Sequence, residues 1–335
     1  MRHSLILIGN LLLSLLAGLP TAVRAADAAA VGATRIATWK DDKKAAFLLM
    51  FDDSMPSHVK NVVPELKKRG MLGTFYINPG KGEWRAFQAA WEKEFPAAGM
   101  EYGNHTFTHK GMRSVENGDE ELGKCNDVIH NLYPDRKRPR LISFGRPGVK
   151  KEDWLITDEQ LKHLLAKHHL ITRPNVDGRF AVIHLKSAEE MLSKVDKALA
   201  QGGLECVIFH GVGGEWISAP LPTFLALLDG LEVRRDQLWI TDHISAHKYE
   251  TERGSTEVKV LEANSRQVRL SLRCKADPQL YDIPLTLVTQ VAADWKQCQV
   301  VQGTSKTVVP VSNGAVRFDA LPNGETIVLQ RADAR

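Results

Sequence analysis

The chain has 335 residues, 25% of them charged, and a formal charge of +4. That length accommodates one large domain and a small one. Its charges are interspersed rather than gathered into a block, which argues against nucleic acid or an anionic membrane surface as a partner.

Met1-Arg2-His3 followed by the apolar stretch Leu5 to Leu19 reads as a signal peptide. Val23-Arg24-Ala25 offers a small-residue cleavage site with Ala26 as the new N-terminus. Loss of Arg2 and Arg24 would lower the formal charge from +4 to +2. Gly9-Asn10 interrupts the stretch and Pro20 ends it, so a retained anchor is the weaker reading. No cysteine lies near the cut to carry a lipid, and no later apolar stretch is long enough to span a bilayer. The expectation is an exported protein, periplasmic or secreted, with residues 1–25 removed and no integral membrane anchor left.

From Ala45 to about Tyr249, strand-like and helix-like segments alternate. Ala45 to Phe51 is a continuous apolar run, as expected of a strand buried on both faces. Pro56 opens a helix in which Val59, Val62, Val63 and Leu66 follow the helical period, with Gly70 at its end. Leu72 to Ile77 reads as a strand, Glu83 to Ala98 as a helix and Tyr102 to Thr106 as a short strand. Asp119 to Tyr133 is helical, and Leu141 to Phe144 is a strand. Leu161, Leu164 and Leu165 mark a further helix. Met191, Leu192, Val195 and Leu199 mark another, ended by Gly202-Gly203. Leu204 to Phe209 is a strand, Leu221 to Leu228 a helix and Leu238 to Ile240 a last strand. About six or seven such repeats imply a parallel sheet, doubly wound or closed into a barrel. Asp52-Asp53, His105, Arg146 and His210 all follow the C-terminal ends of different strands, where a (β/α) barrel gathers its active site. The expected fold is therefore α/β: an irregular (β/α) barrel over residues 26–250, followed by a small all-β C-terminal domain.

After Glu250-Thr251-Glu252-Arg253-Gly254-Ser255 the pattern changes. Val268, Leu270, Leu272 and Cys274 alternate with polar residues, and Asn313-Gly314 and Asn323-Gly324 sit between short apolar runs as hairpin signals. Residues 256–335 are expected to form a small β-sandwich. The four cysteines allow three fully paired connectivities. Cys125 falls in a helix and Cys206 in a buried strand. Cys274 and Cys298 both fall in the β segment, where an oxidising compartment would let them pair.

Two polar clusters carry the chemistry. In His105-Thr106-Phe107-Thr108-His109 the two imidazoles are four positions apart, which a helical turn would point the same way. A carboxylate from Phe51-Asp52-Asp53-Ser54 completes a set of two nitrogens and one oxygen. That set leaves an open position on a metal such as zinc, as a hydrolytic site requires. Asp53, His105 and His109 are the candidate ligands, and the adjacent Asp52 supplies a general base. Alone, Asp52-Asp53-Ser54 before Pro56 could simply cap a helix. The placement of both clusters at strand ends is what argues for a metal.

In these residues and their order the chain resembles the polysaccharide deacetylases, carbohydrate esterase family four. Where that family has Thr-Phe-Asp-Asp-Gly, this chain has Met50-Phe51-Asp52-Asp53-Ser54. The family's His-Ser/Thr-x-x-His is matched in full by His105 to His109. Its Arg-x-Pro-x-Gly appears shortened as Arg146-Pro147-Gly148, and its Leu-x-His as Ile208-Phe209-His210. Gly70 to Tyr76 is similar to the family's second strand. The aspartate–tryptophan element has no clear match, because Asp153-Trp154 arrives too soon after Arg146. The resemblance covers about residues 45 to 245.

The resemblance implies Asp52 as general base, Asp53, His105 and His109 as metal ligands, and His210 as general acid. It implies Arg146 as the residue that holds Asp52, since Arg140 precedes its strand. Asp177 in Asn175-Val176-Asp177-Gly178 would orient His210. A divalent metal is implied; Zn2+ suits the donor set, and Co2+ or Ni2+ would also fit it. Trp216, in the glycine-rich segment after His210, would stack on a sugar face. His58, His130, His163, His168 and His169 read as solvated or helix-end residues. The implied activity is removal of N- or O-linked acetyl groups from a polysaccharide or oligosaccharide. The alternatives are a catalytically silent carbohydrate-binding protein and a metal-dependent amidohydrolase acting on a non-glycan substrate. Nothing in the sequence fixes an oligomeric state.

Overall fold

The structure, a computed structural model, describes residues 30–174 and 184–332. The expected signal peptide and Asp177 lie outside them. After β1 (Thr34–Ile36) come seven parallel strands: β2 (Ala45–Asp52), β3 (Thr74–Ile77), β4 (Glu101–Asn104), β5 (Ile142–Phe144), β6 (Leu170–Thr172), β7 (Leu204–Phe209) and β8 (Leu238–Thr241). Their order is β6-β5-β4-β3-β2-β7, with β8 added beside β2. β8 pairs Ala45–Leu48 at the start of β2, and β3 pairs Met50–Asp52 at its end. The sheet curls without closing. Cys206 Sγ on β7 lies 3.9 Å from the Pro174 carbonyl beyond β6, and no ladder joins these two edges among the described residues.

All eight residues of β2 are buried. Successive side chains in a strand face opposite ways, so Phe47, Leu49 and Phe51 point outward. They join there the core that lies beneath helices α1 (Val63–Arg69), α4 (Val115–Leu132), α5 (Asp158–Lys167), α6 (Ala188–Gln201) and α7 (Leu221–Val233). The helix expected over Glu83 to Ala98 forms with one break, at Phe87: α2 (Gly82–Ala86) precedes it, and the wider turn Ala90–Glu94 runs directly into α3 (Phe95–Ala97). Leu48 and Met50 point inward, against Tyr76, Cys206 and Ile208. The same alternation carries Asp52 into the barrel mouth.

α1 and α6 end where Gly70 and Gly202 adopt left-handed geometry, φ 58° and 68°, as glycine permits. Two elements escape the sequence pattern. β6 has three residues, too few to show a period. α8 (His243–Ser255) is one continuous helix capped by Asp242, so Glu250–Ser255 is its last two turns rather than a linker.

β9 (Thr256–Ala263) follows α8 directly and begins the second sheet, with β10 (Gln267–Cys274), β11 (Leu285–Gln290), β12 (Gln297–Gln302), β13 (Ser305–Ser312), β14 (Ala315–Ala320) and β15 (Asn323–Arg331). β1 joins it, giving the antiparallel order β1-β11-β14-β13-β12-β15-β10-β9. Residues 34–36 thus serve the second sheet, not the barrel. The sheet folds over a core of Val268, Leu270, Leu287, Phe318 and Leu329 until its edges nearly meet. A Cβ on Gly32, just before β1, would stand 2.5 Å from Ala263 Cβ at the end of β9.

Asn313-Gly314 makes the expected two-residue hairpin, both residues at positive φ. Asn323-Gly324 does not turn the chain. It starts β15 opposite an irregularity of the β10 ladder, with Gly324 at φ 85°. Trp39, Trp239, Tyr249 and Leu285 pack the two sheets together. Cys274 and Cys298 are not bridged, and no disulfide joins any of the four cysteines. Cys298 fills the β core, and Cys274 Sγ lies 3.2 Å from Ser255 Oγ.

Candidate active site

Asp52, Asp53, His105, His109, Arg146, His210 and Trp216 line one cleft of about 240 Å3 at the C-terminal end of the parallel strands. Adjacent residues of a strand would face apart. Here Asp53 and Ser54 turn left-handed, φ 74° and 52°, so both aspartates reach the cleft. His105 and His109 do not share a helical turn. His105 leaves the end of β4, and the chain loops back through Thr106 and His109, at φ 64° and 61°. Four non-glycine residues in this region of backbone space cost on the order of 1–3 kcal/mol each, so the surroundings must hold them.

Three polar side chains do so. Asn78 donates to the carbonyls of His105 and Thr106, at 2.6 and 3.1 Å, and its backbone amide donates to Ser54 Oγ. Asn104 Oδ1 accepts from the Thr106 amide at 2.9 Å. Glu121, projecting from α4, accepts from the amide and hydroxyl of Thr108 at 2.8 and 2.7 Å. No motif announces these three residues.

The candidate ligand atoms of Asp53, His105 and His109 lie within 4.8 Å of one another. His105 Nε2 is 3.7 Å and His109 Nε2 3.1 Å from Asp53 Oδ1. That oxygen is buried without a well-directed hydrogen bond, as a group that shares a cation with two imidazoles would be. His105 Nδ1 lies 2.7 Å from the Gly145 carbonyl and donates to it, which leaves Nε2 unprotonated toward Asp53. Burial pushes this imidazole down to about 4, so it is neutral and can offer its lone pair. Burial works to raise the Asp53 carboxyl, yet His109, His105 and Lys81 hold it well below the usual range. Two imidazoles and an ionised carboxylate fit a tetrahedral divalent ion with one open position.

Asp52 is clamped by Arg173, whose guanidinium donates to Oδ1 at 2.5 Å and to Oδ2 at 3.0 Å. Burial favours the neutral acid, but Arg173 and His105 outweigh it and keep Asp52 ionised. The expected partner, Arg146, makes no such contact. Its guanidinium lies 4.2 Å over the Trp154 ring, and its side chain is half exposed. The clamp therefore comes from the end of β6 rather than β5. The signal was present in the sequence: Ile171-Thr172-Arg173-Pro174 repeats the Arg-Pro pair that follows β5.

His210 reaches the cleft from the end of β7, its Nε2 3.7 Å from Asp53 Oδ2. Its buried Nδ1 has no hydrogen-bond partner among the described residues. Trp216 is 61% exposed and meets the His210 ring edge-on at 5.1 Å. His58 is fully buried rather than solvated, and its Nε2 donates to the His210 carbonyl at 2.7 Å. Burial lowers it to about 4, so it serves as a neutral strut.

A cleft of this composition at the strand ends of an α/β barrel brings together a possible metal-ligand set, a second carboxylate and an imidazole. Residues 40–154 match the model of the polysaccharide deacetylase family. The match takes in Asp52, Asp53, His105 and His109 and ends before Arg173 and His210. A curated relative, a gellan lyase from Bacillus sp, is 21% identical over 307 residues, 81% of this chain. The chain spans only 12% of that relative's length. Among solved structures, a family 4 carbohydrate esterase from Streptomyces lividans, in complex with acetate, is 15% identical. It shares 59% of this chain and 92% of its own, with a TM-score of 0.40. A CE4 family pseudoenzyme from Bacillus anthracis is 19% identical over 61% of this chain and 65% of its own, with a TM-score of 0.42. These overlaps are partial, and none assigns a role to a residue here.

Proposed function

We propose that the protein is an exported, metal-dependent deacetylase that removes N- or O-linked acetyl groups from a polysaccharide or oligosaccharide. The observation that carries the reading is the convergence of Asp53, His105 and His109 beside a second, Arg-clamped aspartate, with His210 across the cleft. Asp53, His105 and His109 would hold the ion, with zinc as the first candidate and cobalt or nickel as alternatives. When bound, a divalent ion supplies Lewis acidity to the acetyl carbonyl and eases the ionisation of water.

The chain's own groups do the rest. Asp52, kept ionised by Arg173, takes the proton of the attacking water on a lone pair the clamp leaves free. The Gly145 carbonyl keeps His105 in one tautomer. His210 delivers a proton from Nε2 to the departing sugar nitrogen or oxygen, and Trp216 offers a face to the sugar ring. No side chain attacks covalently. A silent carbohydrate-binding barrel would be favoured by the loss of one of these groups, and the sequence keeps each of them.

The test is acetate release from chitooligosaccharides, acetylxylan and peptidoglycan by the full chain. Release should stop with a chelator and return with a divalent metal. Asp52→Ala should abolish release and keep the metal; His105→Ala should lose both. Release that survives complete metal removal would sink the mechanism. Export to the periplasm or medium is checked by N-terminal sequencing, which should begin at Ala26.

A further inference from the structure

Three cations stand at or beside the cleft. Arg173 is committed to Asp52. Lys81 Nζ faces Asp53 Oδ1 at 3.9 Å. Among the described residues, Arg146 is the cation left to the cleft: the carboxylate nearest it there, Asp158, is 3.9 Å away with a 97% exposed side chain. Such a pair is worth about 0–1 kcal/mol and is screened by salt. Yet Arg146 is not loose. Its guanidinium rests on the face of the largely buried Trp154, 4.2 Å from the ring centroid, and stacking of this kind fixes the plane of the fork. Trp154 is in turn fixed by its bridge to Met112, whose amide donates to the Asp153 carbonyl at 2.9 Å.

A second wall is equally prepared. Trp216 stands between Glu215 and Ile217, at φ 69° and 46°. Glu215 holds this loop by accepting from the Ser57 amide at 2.9 Å. A planar guanidinium with open donors on one wall and an exposed indole on another, above a deacetylation floor, form a subsite for an acidic sugar. The indole takes the ring face, and the fork takes a carboxylate through two parallel hydrogen bonds.

We propose that Arg146, displaced by Arg173 from the clamp on Asp52, selects a carboxylate-bearing (uronic acid) glycan as the substrate. This inference rests on the deacetylase reading for its chemistry and on Arg146 and Trp216 for its specificity.

The test compares an acetylated glucuronoxylan oligosaccharide with its carboxyl-reduced counterpart, using the metal-loaded full chain. The acidic substrate should have the higher kcat/KM by roughly tenfold or more, the worth of one charge-assisted contact. Arg146→Gln should collapse that ratio toward one through KM, and Arg146→Lys should restore part of it. Calorimetry with the deacetylated acidic oligosaccharide gives an activity-independent reading, in which Arg146→Gln should weaken binding by a similar factor. Equal kcat/KM for the two substrates in the wild type overturns the proposal, as does a ratio that survives Arg146→Gln. An equal fall of kcat on both substrates also overturns it, since that would return Arg146 to the catalytic clamp. If neither substrate releases acetate, the deacetylase reading fails and calorimetry still decides the subsite. Weaker binding by Arg146→Gln upholds it, and indistinguishable behaviour of the two proteins overturns it.

Discussion

Replacing Arg173 by methionine isolates the clamp on Asp52. The two side chains are 10% and 3% exposed and share two charge-assisted hydrogen bonds. Removing one member of a buried pair strands the other charge, which costs roughly 3–5 kcal/mol. The contact of Arg173 over the Tyr76 ring, 4.6 Å from its centroid, is lost as well. Arg146→Met, by contrast, removes a half-exposed guanidinium whose ion pair is worth about 0–1 kcal/mol. Urea unfolding of both metal-free variants at pH 7 should separate them by at least ~2 kcal/mol.

The pH dependence of the gap has a definite sign. In the wild type the Asp52 carboxyl is held below its ordinary 3.8. Its stabilising contribution is therefore full above that value and is lost as pH falls through the folded one. In Arg173→Met, burial loses its largest opponent and works to raise the carboxyl, so the penalty grows as pH rises above 3.8. The gap between wild type and variant should thus narrow in acid. Acetate release should fall in Arg173→Met chiefly through kcat, since Asp52 is no longer fixed as a base. An Arg146→Met protein destabilised as much as Arg173→Met would refute the assignment, and so would a gap independent of pH.

Other outcomes follow from the same geometry. A Cβ at Gly145 would meet Tyr76 Cδ1 at 2.9 Å and Arg173 Nη1 at 3.0 Å. Gly145→Ala should therefore lower kcat more than KM while metal content is retained, as measured by steady-state kinetics and metal analysis. Glu121→Ala frees Thr108 and loosens the loop that carries His109. Metal affinity should drop by roughly 10–100-fold, the usual effect of a lost supporting contact, as read by competition with a chromogenic chelator. Burial pushes the Glu252 carboxyl up to about 7, and its Oε2 has no hydrogen-bond partner among the described residues. Its cost appears as pH rises from 4.5 through 7, so Glu252→Gln should raise Tm at pH 8 and leave it nearly unchanged at pH 4.

The barrel was legible because β2 and β7 are long, apolar and buried on both faces, and because each is followed by a polar cluster at its end. Asp52, Asp53, His105 and His109 were legible as a set because strand ends in such a sheet share one mouth. The route by which His105 and His109 converge was not. Spacing suggests a helical turn, but positive φ at Thr106 and His109 brings the rings together through a loop that Asn78, Asn104 and Glu121 stabilise from distant segments. Local pattern cannot show support that comes from elsewhere in the chain. β1 was missed for the same reason: three residues far from their partners in sequence join β11 only once the second sheet exists.

The exchange of arginines shows how a role can move while its chemistry stays. Asp52 needs a cation that can reach it inside the barrel, and either neighbouring strand end could provide one. Gly145 decides between them. With no side chain there, the Arg173 guanidinium passes across the end of β5 to Asp52, while its own amide donates to the Phe144 carbonyl at 2.8 Å. Arg146, one residue further along, then has no buried acid to neutralise and lies on Trp154 at the edge of the cleft. A buried charge must be paired, whereas a half-exposed one need not be. The pairing constraint therefore fixes Arg173 on Asp52 and leaves Arg146 stacked on Trp154 at the edge of the cleft.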